Sequence, residues 1–251
     1  MIDRVIHYCW FGGDLPSEKK ERIGRWREAC PGYEIVAWTD DTYRFDGCEY
    51  VDQARKNRKW AFASDYVRVD VLNRFGGIYL DTDIEILKPF DDLLSLEAFL
   101  GFENDRQISM STLGFRPRNW FLQKMIDYYH ATRFELPSGY LDLTPCVQPA
   151  TTMLLDAGLR KDDADKVSDV RDIRVFPKEY FVGKDYSTEK VYANSNTYTL
   201  HLFEASWMNE DRKRYEARVK RLKKLLGKRL GRSVIQVLNM EPPKESRSNL
   251  R

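Results

Sequence analysis

Asp81 and Asp83 are the residues of this chain whose type and spacing point most directly to chemistry. They end the run Gly76-Gly77-Ile78-Tyr79-Leu80-Asp81-Thr82-Asp83, a short apolar strand followed by two carboxylates one residue apart. Such a pair can share one divalent cation, or divide between a cation and a substrate. Hard ions such as Mg²⁺ or Mn²⁺ take carboxylates together with phosphate oxygens and water. An acidic pair after a strand also suits a plain solvated turn; the buried strand and the double glycine favour the site.

The helix expected over Trp60–Phe75 bears on the same point, with Gly76-Gly77 as its stop. At about 100° per residue, Trp60, Val67, Val71 and Phe75 form one apolar stripe, read as the core face. Asp65 and Arg68 fall together at the edge of that stripe. One account is an i,i+3 surface ion pair. The other sets them at the rim of a metal site, Asp65 accepting from sugar hydroxyls and Arg68 meeting phosphate in bidentate fashion. The helix alone leaves both open.

The elements that must position these groups alternate. Val5–Phe11 reads as a buried first strand ending in Gly12-Gly13. A helix follows from about Ser17, with Ile23, Trp26 and Cys30 inward, and Tyr33–Trp38 is the next strand. Helices are expected over Tyr50–Lys56 and Asn119–Ala131, and from Thr144-Pro145, as N-cap and first turn, to Ala157. Ile84–Leu87, Ala98–Phe102, Met110–Phe115, Ile173–Phe176 and Tyr198–Phe203 supply further strands. This alternation predicts an α/β fold with a mainly parallel central sheet. Ligands of such sheets sit beyond the carboxyl ends of strands, here after Phe11, Leu80 and Phe203.

Charge divides the chain. Of its 251 residues 41 are basic and 39 acidic, a total of +2, yet residues 211–232 hold 11 Lys/Arg and 2 Asp/Glu, a net of +9. Residues 233–251 add +1, so the first 210 carry 2 − 9 − 1 = −8. An acidic body repels a diphosphate unless a cation and local Arg or Lys neutralise it, which also favours a metal. No stretch approaches the roughly 18 apolar residues of a membrane span. The N-terminus shows no signal-peptide pattern, and Cys9, Cys30, Cys48 and Cys146 form no CxxC pair. A cytoplasmic chain with reduced thiols is the expectation.

The run from Trp60-Ala61-Phe62-Ala63-Ser64-Asp65-Tyr66-Val67-Arg68 through Asp83 closely resembles the DxD sugar-binding region of glycosyltransferase family 32. That family includes capsule and lipopolysaccharide transferases and α-mannosyltransferases, and is related to the clostridial glucosylating toxins. Ile6-His7-Tyr8-Cys9-Trp10-Phe11-Gly12-Gly13 is similar to its first strand and nucleotide loop, and His201-Leu202-Phe203-Glu204-Ala205-Ser206-Trp207 to its closing segment. The resemblance implies a GT-A fold and transfer of a sugar from a nucleotide donor with retention at the anomeric carbon. By position, Asp65, Arg68 and Asp83 are the catalytic residues implied. Trp10, Tyr79, Asp81, Ser206 and Trp207 would bind the donor, Trp10 stacking on the base and Ser206 and Trp207 closing over the diphosphate. Asp81 and Asp83, with His201, would hold Mn²⁺ or Mg²⁺. His201 also reads as a strand histidine satisfied by hydrogen bonds, and Trp10 and Trp207 as core packing. Leu143-Thr144-Pro145, followed by Gln148, departs from the Gly-Pro of many relatives on the acceptor side. Glu103, Asp105 and Glu204 are the candidate carboxylates for a nucleophile; spacing does not choose among them.

The expected organisation is a GT-A domain over 1–209, a basic amphipathic helix over 210–232 and a disordered end over 233–251. Tyr215, Val219, Leu222, Leu225, Leu226 and Leu230 recur at helical spacing among Lys and Arg. That helix can lie on an anionic membrane, on the inner face, or pack on the body; no nucleic-acid-binding module accompanies its charge. The partners expected are a nucleotide-sugar donor, with UDP-sugars favoured, and a glycan or lipid-linked acceptor in surface polysaccharide synthesis. Two other readings are a non-catalytic nucleotide-sugar-binding or membrane-docking protein and a phosphatase using the Asp pair. The phosphatase motif wants Thr or Val two residues past the second Asp, where this chain has Glu85.

Overall fold

The computed structural model describes residues 1–204 and 210–237, without the side chains of 161, 210, 212 and 228–237. In chain order the elements are β1 (Val5–Cys9), α1 (Ser17–Ala29), β2 (Glu34–Trp38), α2 (Glu49–Lys56), α3 (Trp60–Phe75), β3 (Gly77–Leu80), β4 (Ile84–Ile86) and β5 (Ala98–Asn104). There follow β6 (Gln107–Ile108), β7 (Thr112–Phe115), α4 (Trp120–Ala131), α5 (Val147–Asp156), β8 (Ser168–Val170), β9 (Ile173–Phe176), α6 (Lys178–Phe181), β10 (Thr199–His201) and α7 (Glu210–Val237).

The sheet runs β2-β1-β3-β7-β5-β9-β8, with β6 on β5. β1 pairs in parallel with β2 and β3, and β5 with β9, while β7 lies antiparallel between β3 and β5. Thus β2, β1, β3, β5 and β9 share one direction. This is the mostly parallel α/β sheet expected, with antiparallel β7 set into its middle. β4 and β10 leave the sheet to form an antiparallel ribbon of their own.

Hydrophobic core lies on both faces. Helices α2 to α5 cover one, with Val67, Val71 and Leu72 against Tyr79, Leu113 and Phe115. α1 covers the other, with Ile23 and Trp26 against Ile6, Ile78, Leu80 and Ile84. The strand period of two explains the division within β3: Ile78 and Leu80 point to α1, Tyr79 to α3.

Helix α3 corrects the apolar-stripe reading. Phe62, Ala63, Asp65, Tyr66, Val67, Arg68, Val69, Val71 and Leu72 are all buried, whereas Phe75, assigned to the core face, is 45% exposed. A helix lying under the sheet with α2 and α4 also packed on it is buried around most of its circumference, so its hydrophobic period carries little directional information. α3 ends where Gly76 (φ 69°) and Gly77 (φ 93°) take left-handed backbone, which glycine adopts without steric cost. A Cβ on Gly77 would stand 2.8 Å from the Val5 carbonyl oxygen.

Two further boundaries differ. α5 starts at Val147 rather than at Thr144, because the Thr144 N–H is taken by the Asp142 carboxylate in a turn ahead of the helix. α7 continues to Val237 across a break at Gly227, so residues 233–237, read as disordered, are helical; no proline intervenes before Pro242. The rest of the expected disordered end lies outside the described residues. No helix among the described residues is long and apolar enough to cross a membrane.

Candidate metal and donor site

The site stands where β3 runs out. The Asp81 N–H donates to the Ser111 carbonyl, extending the β3–β7 pairing by one residue, and a turn closes from the Ile84 N–H to the Asp81 carbonyl. By the same period of two, Asp81 falls on the Tyr79 side, facing α3. The Tyr79 hydroxyl donates to Asp81 Oδ1 at 2.9 Å. Arg68 lies at 3.4 Å from both Asp81 oxygens, donates to the Met110 carbonyl at 2.8 Å and pairs with Asp65 at 2.7 Å. Its guanidinium also lies over the Tyr79 ring.

Asp65 and Arg68 are therefore buried, at 8% and 6% exposure, and not an exposed surface pair. With its N–H groups committed to Asp65, Asp81, Met110 and Ser64, Arg68 presents no fork to a phosphate. Its place is behind Asp81, which it orients. Tyr79, expected to line the donor pocket, is 1% exposed and likewise supports Asp81 from beneath.

Asp83 points the other way. Its carboxylate accepts from the Glu204 N–H at 3.0 Å and lies 3.4 Å from His201 Nε2. Strand pairing makes this contact: in the β4–β10 ribbon His201 is opposite Ile84, next to Asp83. Asp81, Asp83 and His201 each offer a ligand atom, all within 4.8 Å of one another. His201 Nδ1 is buried without a hydrogen-bond partner. Two carboxylates and one imidazole, a nitrogen of which is buried and unpaired, fit a divalent cation with remaining positions for phosphate oxygens and water.

The electrostatics suit the same use. Burial lifts the Asp65 carboxyl to about 6 against the pull of Arg68. Burial and the neighbouring Asp83 raise Asp81, with Arg68 opposing them. Burial acts upward on Asp83 too, but His201, the Glu204 N–H and Lys19 hold it well below the usual carboxylate range. His201 is raised by Asp83 and Asp81 against its burial.

Lys19 and Arg22 were not singled out from sequence. On α1 they are 2% and 7% exposed. Arg22 donates to the Thr82 carbonyl at 2.8 Å and pairs with Glu204 at 2.6 Å, and Lys19 pairs with the same Glu204. Together they tie the turn between the two aspartates to the segment after β10. A signal existed: Lys19, Arg22 and Trp26 recur at i, i+3 and i+7 on the inward stripe of α1, and charges there require partners.

Among the three nucleophile candidates, Glu204 is consumed by this clasp, and exposed Asp105 pairs with Lys178. Glu103, at the end of β5, remains. Burial raises its carboxyl, His201 draws it down, and Asp81 and Asp83 add to the rise.

Beyond β1 and β2 lies a cavity of about 370 Å³ whose lining includes Tyr8, Trp10, Gly13, Thr39 and Asp40. The Asp40 carboxylate accepts from the Gly12 N–H at 2.7 Å, and the Trp60 ring occupies the space a Cβ on Gly12 would need. Trp10 is half-buried at this cavity. Ser206 and Trp207 lie outside the described residues.

Residues 16–100 match the family model described as a glycosyltransferase sugar-binding region containing the DXD motif. Mannosyl phosphorylinositol ceramide synthase SUR1 of Saccharomyces cerevisiae is 28% identical over 130 residues, 50% of this chain and 34% of that protein. Inositol phosphoceramide mannosyltransferase 3 of Schizosaccharomyces pombe is 26% identical over 164 residues, 64% of this chain and 46% of that protein. The chain thus spans less than half the length of these relatives. Among solved structures, the PaToxG glycosyltransferase aligns at 17% identity and a TM-score of 0.49, over 65% of this chain and 74% of its own. The segment that carries α1, α3 and Asp81-Thr82-Asp83 is thus similar to the DXD-containing glycosyltransferase sugar-binding region, in line with the resemblance to glycosyltransferase family 32.

Proposed function

We propose that this protein is a divalent-cation-dependent, retaining glycosyltransferase of GT-A type. It would move a hexose from a nucleotide diphosphate donor to a hydroxyl of a glycan or lipid-linked acceptor. The observation that carries the reading is the convergence of Asp81, Asp83 and His201, from β3 and β10, into one cluster with a buried unpaired nitrogen. Both curated relatives described above are named for mannosyl products or transfer, which favours mannose as the sugar; the family resemblance favours a UDP-linked donor.

In this reading Asp81, Asp83 and His201 hold Mn²⁺ or Mg²⁺, which when bound neutralises the donor diphosphate and the charge that develops on it as it leaves. Arg68 and Tyr79 fix Asp81, while His201 and the Glu204 N–H fix Asp83, so the two carboxylates need little reorganisation. Trp10 takes the base in the cavity beyond β1 and β2. The acceptor oxygen bonds to the anomeric carbon as the bond from that carbon to the diphosphate oxygen breaks. The diphosphate keeps the bonding pair, and the acceptor proton passes to its leaving oxygen, on the face from which it departs. Glu103 would be the carboxylate that stabilises the oxocarbenium-like sugar. The basic stripe of α7, with Leu225 and Leu226 exposed, would hold the enzyme at an anionic membrane near a lipid-linked acceptor of surface polysaccharide synthesis.

Incubating the full chain with Mn²⁺ and a panel of UDP- and GDP-sugars tests this reading. Donor hydrolysis is expected for one sugar, falling at least about 100-fold in Asp83→Ala. Hydrolysis indifferent to that substitution would refute the assignment, and absence of hydrolysis and transfer across the panel would favour a binding protein. NMR of the product anomer reads the stereochemistry.

A further inference from the structure

Asp83 is gripped from both sides by groups that never reach the cluster itself. The Leu202 N–H donates to the Asp83 carbonyl and the Glu204 N–H to its carboxylate, each at 3.0 Å. Between them Phe203 takes a left-handed backbone (φ 55°) and stacks its ring on His201 at 3.9 Å between centroids. Such a conformation is costly for a bulky residue and persists only where the surroundings over-determine it. On the other side of Asp83, Arg22 Nη1 donates to the Thr82 carbonyl at 2.8 Å. Its second terminal nitrogen reaches Glu204 Oε1 at 2.6 Å, and the Lys19 ammonium takes Oε2. One guanidinium therefore ties residue 82 to residue 204, and Asp83 is hydrogen-bonded within that tie.

Stability alone is a poor reason for these charges. The Lys19 and Arg22 side chains are 3% and 8% exposed. Desolvating buried ions absorbs much of what their pairing returns, and apolar side chains of like volume often serve as well. The neighbouring inward residues of α1, Ile23 and Trp26, do pack in the core in that way. Arg22 Nε is moreover buried without a hydrogen-bond partner, a loss that a merely stabilising contact need not carry. What a charged fork supplies and an aliphatic chain does not is direction, because its donors leave at fixed angles. Here that direction sets the spacing of the two segments that flank Asp83.

We propose that Lys19, Arg22 and Glu204 are positioning residues of the metal centre. Their clasp fixes the Thr82 carbonyl and the Glu204 N–H, and through them the place of the Asp83 carboxylate, so that α1 tunes cation affinity without touching the cation. The same anchoring of Glu204, with the ring stack on His201, keeps Phe203 in its left-handed conformation. This role rests on the reading of Asp81, Asp83 and His201 as a cation site.

The test is titration of Mn²⁺ into the full chain without donor, followed by the loss of the free-ion paramagnetic resonance signal, with a thermal melt of each variant. Glu204→Gln keeps the backbone N–H and nearly the same shape, and Arg22→Met keeps the apolar stem. Each should raise the Mn²⁺ Kd about tenfold or more, as loss of an outer support of a metal ligand does. The double variant should bind little more weakly than either single one, because both remove the same contact. Ile23→Val, in the core on the same helix, should lower Tm and leave the Kd unchanged. Glu204→Gln, at a partly exposed side chain, keeps the test open if Arg22→Met does not fold. Wild-type affinity in Glu204→Gln overturns the proposal, as does an equal weakening in Ile23→Val. A double variant as weak as the product of the two single effects overturns the shared clasp. No Mn²⁺ bound by the wild type overturns the cation reading itself, and this role with it, so the two failures are told apart.

Discussion

Arg68 shows how one side chain can set the site without facing a ligand. It neutralises Asp65 and Asp81 at once and spends its other N–H groups on the Met110 and Ser64 carbonyls. Removing one partner of such a buried network leaves the others charged and unpaired, which costs about 3–5 kcal/mol. Arg68→Leu should therefore lower Tm sharply in a thermal melt; a melt matching wild type would show that Asp65 and Asp81 find other partners. Tyr79→Phe is milder, removing only the hydrogen bond to Asp81 Oδ1. Losing such an outer support typically weakens a metal site about 10–100-fold, so the Mn²⁺ concentration for half-maximal donor hydrolysis should rise by about that factor with little loss at saturation. An unchanged Mn²⁺ requirement would remove Tyr79 from the account. At this scale the sequence was informative about residue types and less so about direction. The strand period of two places Tyr79 with Asp81, but only tertiary packing shows that Arg68 and Tyr79 point at the carboxylate rather than at a donor.

At the scale of elements, β3 is positioned by a buried histidine and two glycines. His7 on β1 donates from Nε2 to the Gly76 carbonyl at 2.9 Å and accepts from Trp38 Nε1 at 3.2 Å, which requires the neutral ring. Burial lowers its pKa below 6.5, the Gly76 carbonyl partly opposing this. A folded-state pKa below the unfolded one means His7 contributes its full stability above about pH 6.5 and loses it as pH falls toward the folded value. Wild type should therefore lose more Tm than His7→Gln between about pH 7.5 and about pH 5.5; parallel curves would contradict this role. Gly77→Ala would press a Cβ against the Val5 carbonyl and force φ 93° on alanine, with a loss of about 1–3 kcal/mol or more in denaturant unfolding. Wild-type stability in that variant would show that the strand can shift.

Elements also mark what sequence could and could not reveal. The alternation of strands and helices was legible because apolar runs, glycine stops and turn residues are local signals. The β4–β10 ribbon was not, although it brings His201 beside Asp83 across more than a hundred residues: pairing register is a property of two segments together. The buried face of α3 was misread because a helix packed on several sides has no single apolar stripe. The clasp of Lys19 and Arg22 on Glu204 escaped notice because charged residues on a helix are usually solvated.

For the whole molecule, the split between an acidic body and a basic tail gains a partial spatial account. α7 packs on the body through Val219, which is 5% exposed, and its Lys and Arg line a cavity bordered by Phe203. Further along, Leu225 is 72% exposed and Leu226 41%. Packing and membrane contact are thus compatible uses of one helix. Truncation at Asn209 should reduce co-sedimentation with anionic vesicles, and Leu225→Glu/Leu226→Glu should reduce it too while leaving Val219 in place; binding undiminished in both would refute the membrane proposal.

The central claim is that Asp81, Asp83 and His201 form one divalent-cation centre serving a diphosphate. Electron paramagnetic resonance of Mn²⁺ titrated into the full chain with UDP present tests it most directly. One Mn²⁺ is expected to bind per chain, withdrawn from the free-ion signal, with that binding lost in both Asp83→Ala and His201→Ala. Retention of the bound ion in either variant would contradict it.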